Sequence, residues 1–209
     1  MGKWFDLNTP FMSFLSDVCD LVILNLLYLL CCVPIVTFGV STVALYRVAL
    51  NRIQHRSSKV VRPFFAAFRQ NWKKGLLTGL LQLVVMAFTV ADLYVLYGWN
   101  SSLRLPLLTF FLLLTLLFGF VFTYAYPLIA QFENSVTGTI VNGLFLSIRY
   151  LPRTVLMVGL NWLPGILLLL SPVLFGRLAL FWILIGCALT ACINVLLLRK
   201  VFQYCVDQQ

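Results

Sequence analysis

The sequence predicts an all-α, polytopic membrane helical bundle: about five transmembrane helices plus two cytoplasmic interfacial amphipathic helices. Three observations predict it. The chain is 62% hydrophobic and only 10% charged, against about 25% charged in ordinary soluble domains. Several apolar runs reach or approach the ~20 residues that cross a bilayer. The cations are gathered into a few connections instead of being spread along the chain. The length suits one integral membrane domain, 1–209, and leaves no room for a large soluble one.

The spans fall at about 17–36, 75–97, 105–129, 155–170 and 178–198, the fourth short and interrupted by Pro164. The opening residues carry Lys3 and Asp6, and no small-residue cleavage site follows the first apolar run, so no cleaved signal is expected. Arg47, Arg52, Arg56, Lys59, Arg62, Arg69, Lys73 and Lys74 lie between the first two spans. Arg149 and Arg153 follow the third span, and Arg199 and Lys200 follow the fifth. With five spans these all share one side, leaving Lys3, Arg104 and Arg177 on the other. Lys and Arg resist translocation, which makes the basic side cytoplasmic. The expected topology is therefore N-terminus outside, C-terminus cytoplasmic.

Two segments on the basic side have helical amphipathic spacing. In Lys59–Gly75, Phe64, Phe65, Phe68 and Trp72 form one stripe, with Arg69, Lys73 and Lys74 toward its rim. Pro63 suits a first helical turn, where its missing N–H costs nothing. In Thr137–Thr154, Ile140, Val141, Leu144, Phe145, Ile148 and Leu151 share a face that ends at Pro152. Both read as helices resting in the inner interface, with the lipid bilayer as their first partner. Phe64, Phe68, Asn71, Trp72 and Arg153 are the candidate contacts to a protein partner: aromatics as anchors, Arg153 as a fork for a carboxylate. No nucleic acid is expected as a partner.

Catalysis has little to work with. His55 is the only histidine and stands in a basic loop, and the six acids form no metal or glycosidase pattern. No enzyme, metal or cofactor is expected, because acid–base chemistry needs convergent titratable groups. The six cysteines show no zinc or redox spacing and read as small packing residues. Asn25, Asp92, Asn161 and Asn194, with Gln82, lie in or near spans. Such groups mark either a solute path or a hydrogen bond between helices. Pro34 and Gly39, in Val33–Tyr46, break or bend the end of the first span, and Thr37, Ser41 and Thr42 re-satisfy the freed backbone. This reads as an exit turn.

The motifs FDLNTPFMSFLSDV, DLVILNLLYLLCC, PIVTFGVSTVALY, FFAAFRQNWKKG, YPLIAQF and LPRT occur in that order. Together they resemble the YesL family of small bacterial integral membrane proteins of unknown biochemical function. The resemblance implies a bacterial plasma membrane and a genetic association with carbohydrate ABC importers. It supplies no catalytic residues. A weaker likeness, Gly138 separated from Ile148 by nine residues, resembles the docking loop of importer permeases, but RYLP is one residue too long. Three expectations follow. The first is an accessory or regulatory subunit of a carbohydrate ABC import system, with permease or ATPase subunits as partners. The others are an autonomous small-solute transporter or channel, and an ABC permease-like subunit. A polar cavity between spans would favour the transporter; the other two tolerate a dry interior.

Overall fold

The computed structural model describes residues 10–55, 59–98, 103–132 and 135–206. Among them every regular element is helical. In chain order these are α1 (Pro10–Cys32), a 3-10 turn (Ile35–Thr37), α2 (Phe38–His55), α3 (Val61–Gln70), α4 (Trp72–Tyr97), α5 (Arg104–Gln131), α6 (Val136–Arg149), α7 (Leu151–Leu170), α8 (Pro172–Phe181), a π-turn (Trp182–Gly186) and α9 (Cys187–Val206). Five stretches are long and apolar enough to cross a membrane: Phe14–Cys32, Trp72–Leu96, Arg104–Gln131, Leu151–Leu170 and Pro172–Arg199. They overlap the five expected spans, with ends differing by up to six residues.

The element that hydropathy does not announce is α2. After α1 the chain cannot continue helically, because Pro34 lacks an N–H and biases Val33 out of the helical region. The Thr37 hydroxyl donates to the Cys31 carbonyl at 2.6 Å and to that of Pro34 at 2.7 Å, re-satisfying the broken end. The chain then reverses. Arg52, near the end of α2, bonds the Asp17 carboxylate at 2.7 Å and the Asp17 carbonyl at 3.0 Å, and reaches Asp20 at 3.5 Å. Asp17 stands near the start of α1, so α1 and α2 form an antiparallel hairpin. The Val33–Tyr46 segment is therefore a reversal followed by a full helix, not an exit turn.

Five spans alone would set the start of α1 on the side opposite the basic connection. The ion pair between Asp17 and Arg52 sets both at one end. Helix α2, 18 residues long, runs back along α1 and is not among the five stretches apolar enough to cross a membrane.

Helix α2 sits at the centre. It touches α1, α3, α4, α5 and α9, and residues 39–46 are all buried. Its crossing with α4 is made of bare backbone. A Cβ on Gly39 would stand 2.6 Å from Gly79 Cα, and one on Gly75 would stand 2.7 Å from Val40 Cα. Close approach of this kind is how helices pack without a hydrophobic driving force between them. It also explains Gly39, which serves this contact and not a bend.

The shared core lies toward one end of the long helices. Residues Val121–Ala130 of α5 are all buried. Farther along, α4 and α5 hold each other through Thr89 and Thr115, 2.9 Å between hydroxyls, and present Phe88 and Phe110 outward. Large exposed apolar surface of this kind suits contact with lipid chains.

The amphipathic helices α3 and α6 pack in opposite senses. Helix α3 turns Phe64 and Ala67 into the core. Helix α6 buries Thr139, Gly143 and Ser147, a small face at i, i+4 and i+8, against α5. Its apolar residues Val141, Phe145 and Ile148 face outward.

The glycine crossing yields a direct expectation. Gly39→Leu forces α2 from α4 and costs at least the ~1–3 kcal/mol of an overpacked core. A lower melting temperature in detergent, or loss of the monodisperse peak, checks it. Gly98→Leu is the control, since nothing lies within 4 Å of a Cβ there, and it should leave the melting temperature unchanged.

Candidate functional site: an interior cavity lined by amides, hydroxyls and aromatic rings

The amides singled out in the sequence divide into two roles. Asn25 is fully buried on α1, and its Nδ2 donates to the carbonyls of Trp182 at 3.1 Å and Ile183 at 2.7 Å. Its Oδ1 accepts from the Ala188 N–H at 2.8 Å. A π-turn displaces backbone groups from the regular ladder, and here one amide side chain satisfies three of them. Asn25 is thus a structural bond between α1 and the α8–α9 bend.

Asn161 and Asn194 do come together. Asn194 Nδ2 donates to Asn161 Oδ1 at 2.8 Å and to the Tyr46 hydroxyl at 2.9 Å, joining α7, α9 and α2. Asn194 is fully buried, yet its Oδ1 has no hydrogen-bond partner. An orphaned buried acceptor costs about 1–3 kcal/mol, so a water or a ligand hydroxyl has something to gain here.

Beside this cluster is a cavity of about 330 Å³ between α1, α2, α4, α5, α7 and the π-turn with α9. The volume lies at the lower end of the ~300–1,000 Å³ of small-molecule sites. Polar groups enter it from every side: Thr42 and Tyr46 from α2, Gln82 from α4, Thr123 and Tyr126 from α5, Asn161 from α7. The Tyr126 hydroxyl donates to Gln82 Oε1, fixing both. Phe38, Trp162 and Trp182 supply aromatic faces, and among the described residues no charged side chain lines the cavity. Trp162 is held flat against Gly119, where a Cβ would lie 2.9 Å from Trp162 Cζ2.

Asp92 is not part of this site. It is half-buried in a separate groove of about 400 Å³ between α4 and α5, beside Thr89 and Thr115. Asp92 thus lies apart from the cavity that Asn161 lines.

The expected partner contacts also divide. Phe64 is fully buried and unavailable as an anchor, because the α3 stripe packs on the core. Phe68 is half-buried and packs on the same core, 6.3 Å from Phe64 and 5.4 Å from Trp72 between ring centroids. Trp72 remains exposed. Asn71 caps the junction of α3 and α4, its Nδ2 donating to the Ala67 carbonyl at 3.1 Å. Arg153 lies over the Tyr150 ring, 5.5 Å from its centroid. The turn around it is locked by Thr154, whose hydroxyl donates to the Ser147 carbonyl at 2.9 Å and meets the Tyr124 hydroxyl at 3.0 Å.

Sequence reasoning singled out Gln82 but passed over Tyr46, Tyr126, Trp162 and Trp182 as site residues. A usable signal existed: buried Tyr and Trp need partners for their polar tips, and the in-span amides are the natural ones.

The helices and this interior cavity define a polytopic α-helical membrane protein with a polar site inside the bundle. Residues 21–93 match the model of a family described as a protein of unknown function, DUF624, also known as YesL. The match spans a little over a third of the chain: most of α1, the reversal, α2, α3 and most of α4. The motifs YPLIAQF and LPRT lie beyond it. Neither a curated protein nor a solved structure matches the chain.

The two roles of the amides separate experimentally. Asn25→Leu strands two carbonyls and one N–H in the interior. At about 1–3 kcal/mol per stranded group, it should lower the melting temperature in detergent more than Asn161→Leu does. Equal or smaller damage from Asn25→Leu would contradict the structural role given to it.

Proposed function

We propose that the protein binds, and carries across the bacterial plasma membrane, a small uncharged solute rich in hydroxyl groups, the chemical class of carbohydrates and polyols. The observation that carries this reading is the cavity beside Asn161 and Asn194. It offers amide and hydroxyl partners, aromatic faces for the C–H surface of such a solute, and no charge. Asn161, which lines the cavity, is itself held by Asn194 Nδ2 at 2.8 Å, so its amide is fixed in place beside the solute.

The topology belongs to the same proposal. With the basic connection cytoplasmic by the cation rule, the pairing of Asp17 with Arg52 brings the start of α1 to the cytoplasmic side as well. Six passes result, counting α2, with both termini inside.

A second reading is an accessory or regulatory subunit of a carbohydrate ABC import system. It is favoured by the outward apolar face of α6, Val141, Phe145 and Ile148, next to the locked Arg153 turn. This face would meet a permease subunit and needs no cavity.

The experiment is equilibrium binding of a panel of neutral mono- and disaccharides and polyols to the purified protein in nanodiscs, followed by uptake into proteoliposomes. Saturable binding of at least one solute is expected. Asn161→Leu should weaken it about tenfold, the loss of one hydrogen bond in a water-poor site, and uptake should fall with it. Absence of binding across the panel, with a permease recovered by co-purification, would overturn the solute reading in favour of the accessory one.

A further inference from the structure

A second cavity, of about 340 Å³, shares no lining residue with the first. It is lined by Arg47 from α2, Gln70 and Asn71 from the α3–α4 junction, Lys74 from α4, and residues 129–132 at the end of α5. We propose that this cavity binds a phosphate group, with Arg47 and Lys74 as its charged ligands and the neighbouring amides as further donors.

Four features point the same way. First, two cations from different helices converge on one concave site, and no acid lines it among the described residues. Second, Arg47 is not a loose surface chain. Its Nη1 donates to the Ala130 carbonyl at 2.6 Å, which anchors one arm of the guanidinium at the end of α5. A fixed planar fork suits phosphate oxygens. Third, α4 begins here with no side-chain cap on its first N–H groups. A helix start without a side-chain cap favours an anion through its dipole. Fourth, Gln70, Asn71 and Gln131 provide neutral donors around the rim. The same chemistry could come from an anionic phospholipid headgroup at the inner leaflet or from a soluble phosphate ester, and the test separates the two.

The test uses the full-length protein. One arm measures binding of inorganic phosphate to the delipidated protein in neutral detergent. The other measures, by native mass spectrometry from mixed nanodiscs, whether phosphatidylglycerol is retained over phosphatidylcholine. Lys74→Gln is the informative variant and Lys73→Gln the control, because the neighbouring lysine carries the same charge but does not line the cavity. At least one arm should show binding in the wild type. Lys74→Gln should reduce it about tenfold or more, the worth of a hydrogen bond to a charged group, and Lys73→Gln by less than about twofold. Phosphate binding alone identifies a soluble ester as the ligand source; phosphatidylglycerol retention, with or without phosphate binding, identifies the headgroup. The proposal is overturned if neither arm shows binding, or if the two lysine variants lose it equally, since that would be diffuse surface attraction.

Discussion

Most of this structure depends on α2 being buried in the middle of the bundle. Helices in lipid gain little from apolar contact alone, since the lipid chains are equally apolar. What holds α2 is therefore specific. At one end are backbone contacts at Gly39, Gly75 and Gly79. At the other is Arg52, set against Asp17 and Asp20. Between them Tyr46 bonds Asn194, and Arg47 bonds the end of α5. Both cavities are bordered by α2: Thr42 and Tyr46 line one, and Arg47 lines the other.

The ion pair at the open end of the hairpin is a mixed asset. Arg52 and Asp20 have side chains 14% and 16% exposed, and Asp20 Oδ2 and Arg52 Nη1 lack hydrogen-bond partners. Burying charges carries a desolvation cost that attraction does not always offset. Its clearer contribution is register. An antiparallel hairpin of apolar helices can slide, and the pairing of Arg52 with exposed Asp17 and half-buried Asp20 fixes which residues face each other.

The five spans were legible because each is a long apolar run, and lipid-facing helices show themselves by hydropathy alone. Helix α2 was not, because its second half carries Arg47, Asn51, Arg52 and Gln54 and its first half is small and hydroxyl-rich. Buried centrally, it needs no lipid-compatible surface, so it lacks the signal that a hydropathy reading seeks. The α3 stripe announced a helix but not which way it faced: Phe64 turned inward while Phe65, its neighbour in the stripe, stayed exposed. For α6 the small face Thr139, Gly143 and Ser147 was the one that packed. The in-span amides were legible as polar, but their partners were not. Asn25 answers a π-turn that no sequence pattern marks, and Asn161 meets Asn194 only because α7 and α9 converge.

The central claim is that α2 returns beside α1, so that the two ends of the hairpin share one side of the membrane. Spin labels at Ser16 and Gln54, both exposed near that open end and introduced by a chemistry that spares the native cysteines, measure this directly by pulsed dipolar spectroscopy in nanodiscs. The account predicts a narrow distance distribution well below the ~30 Å thickness of the hydrocarbon core. A distance at or above that thickness would place the two ends on opposite sides of the bilayer and contradict the hairpin.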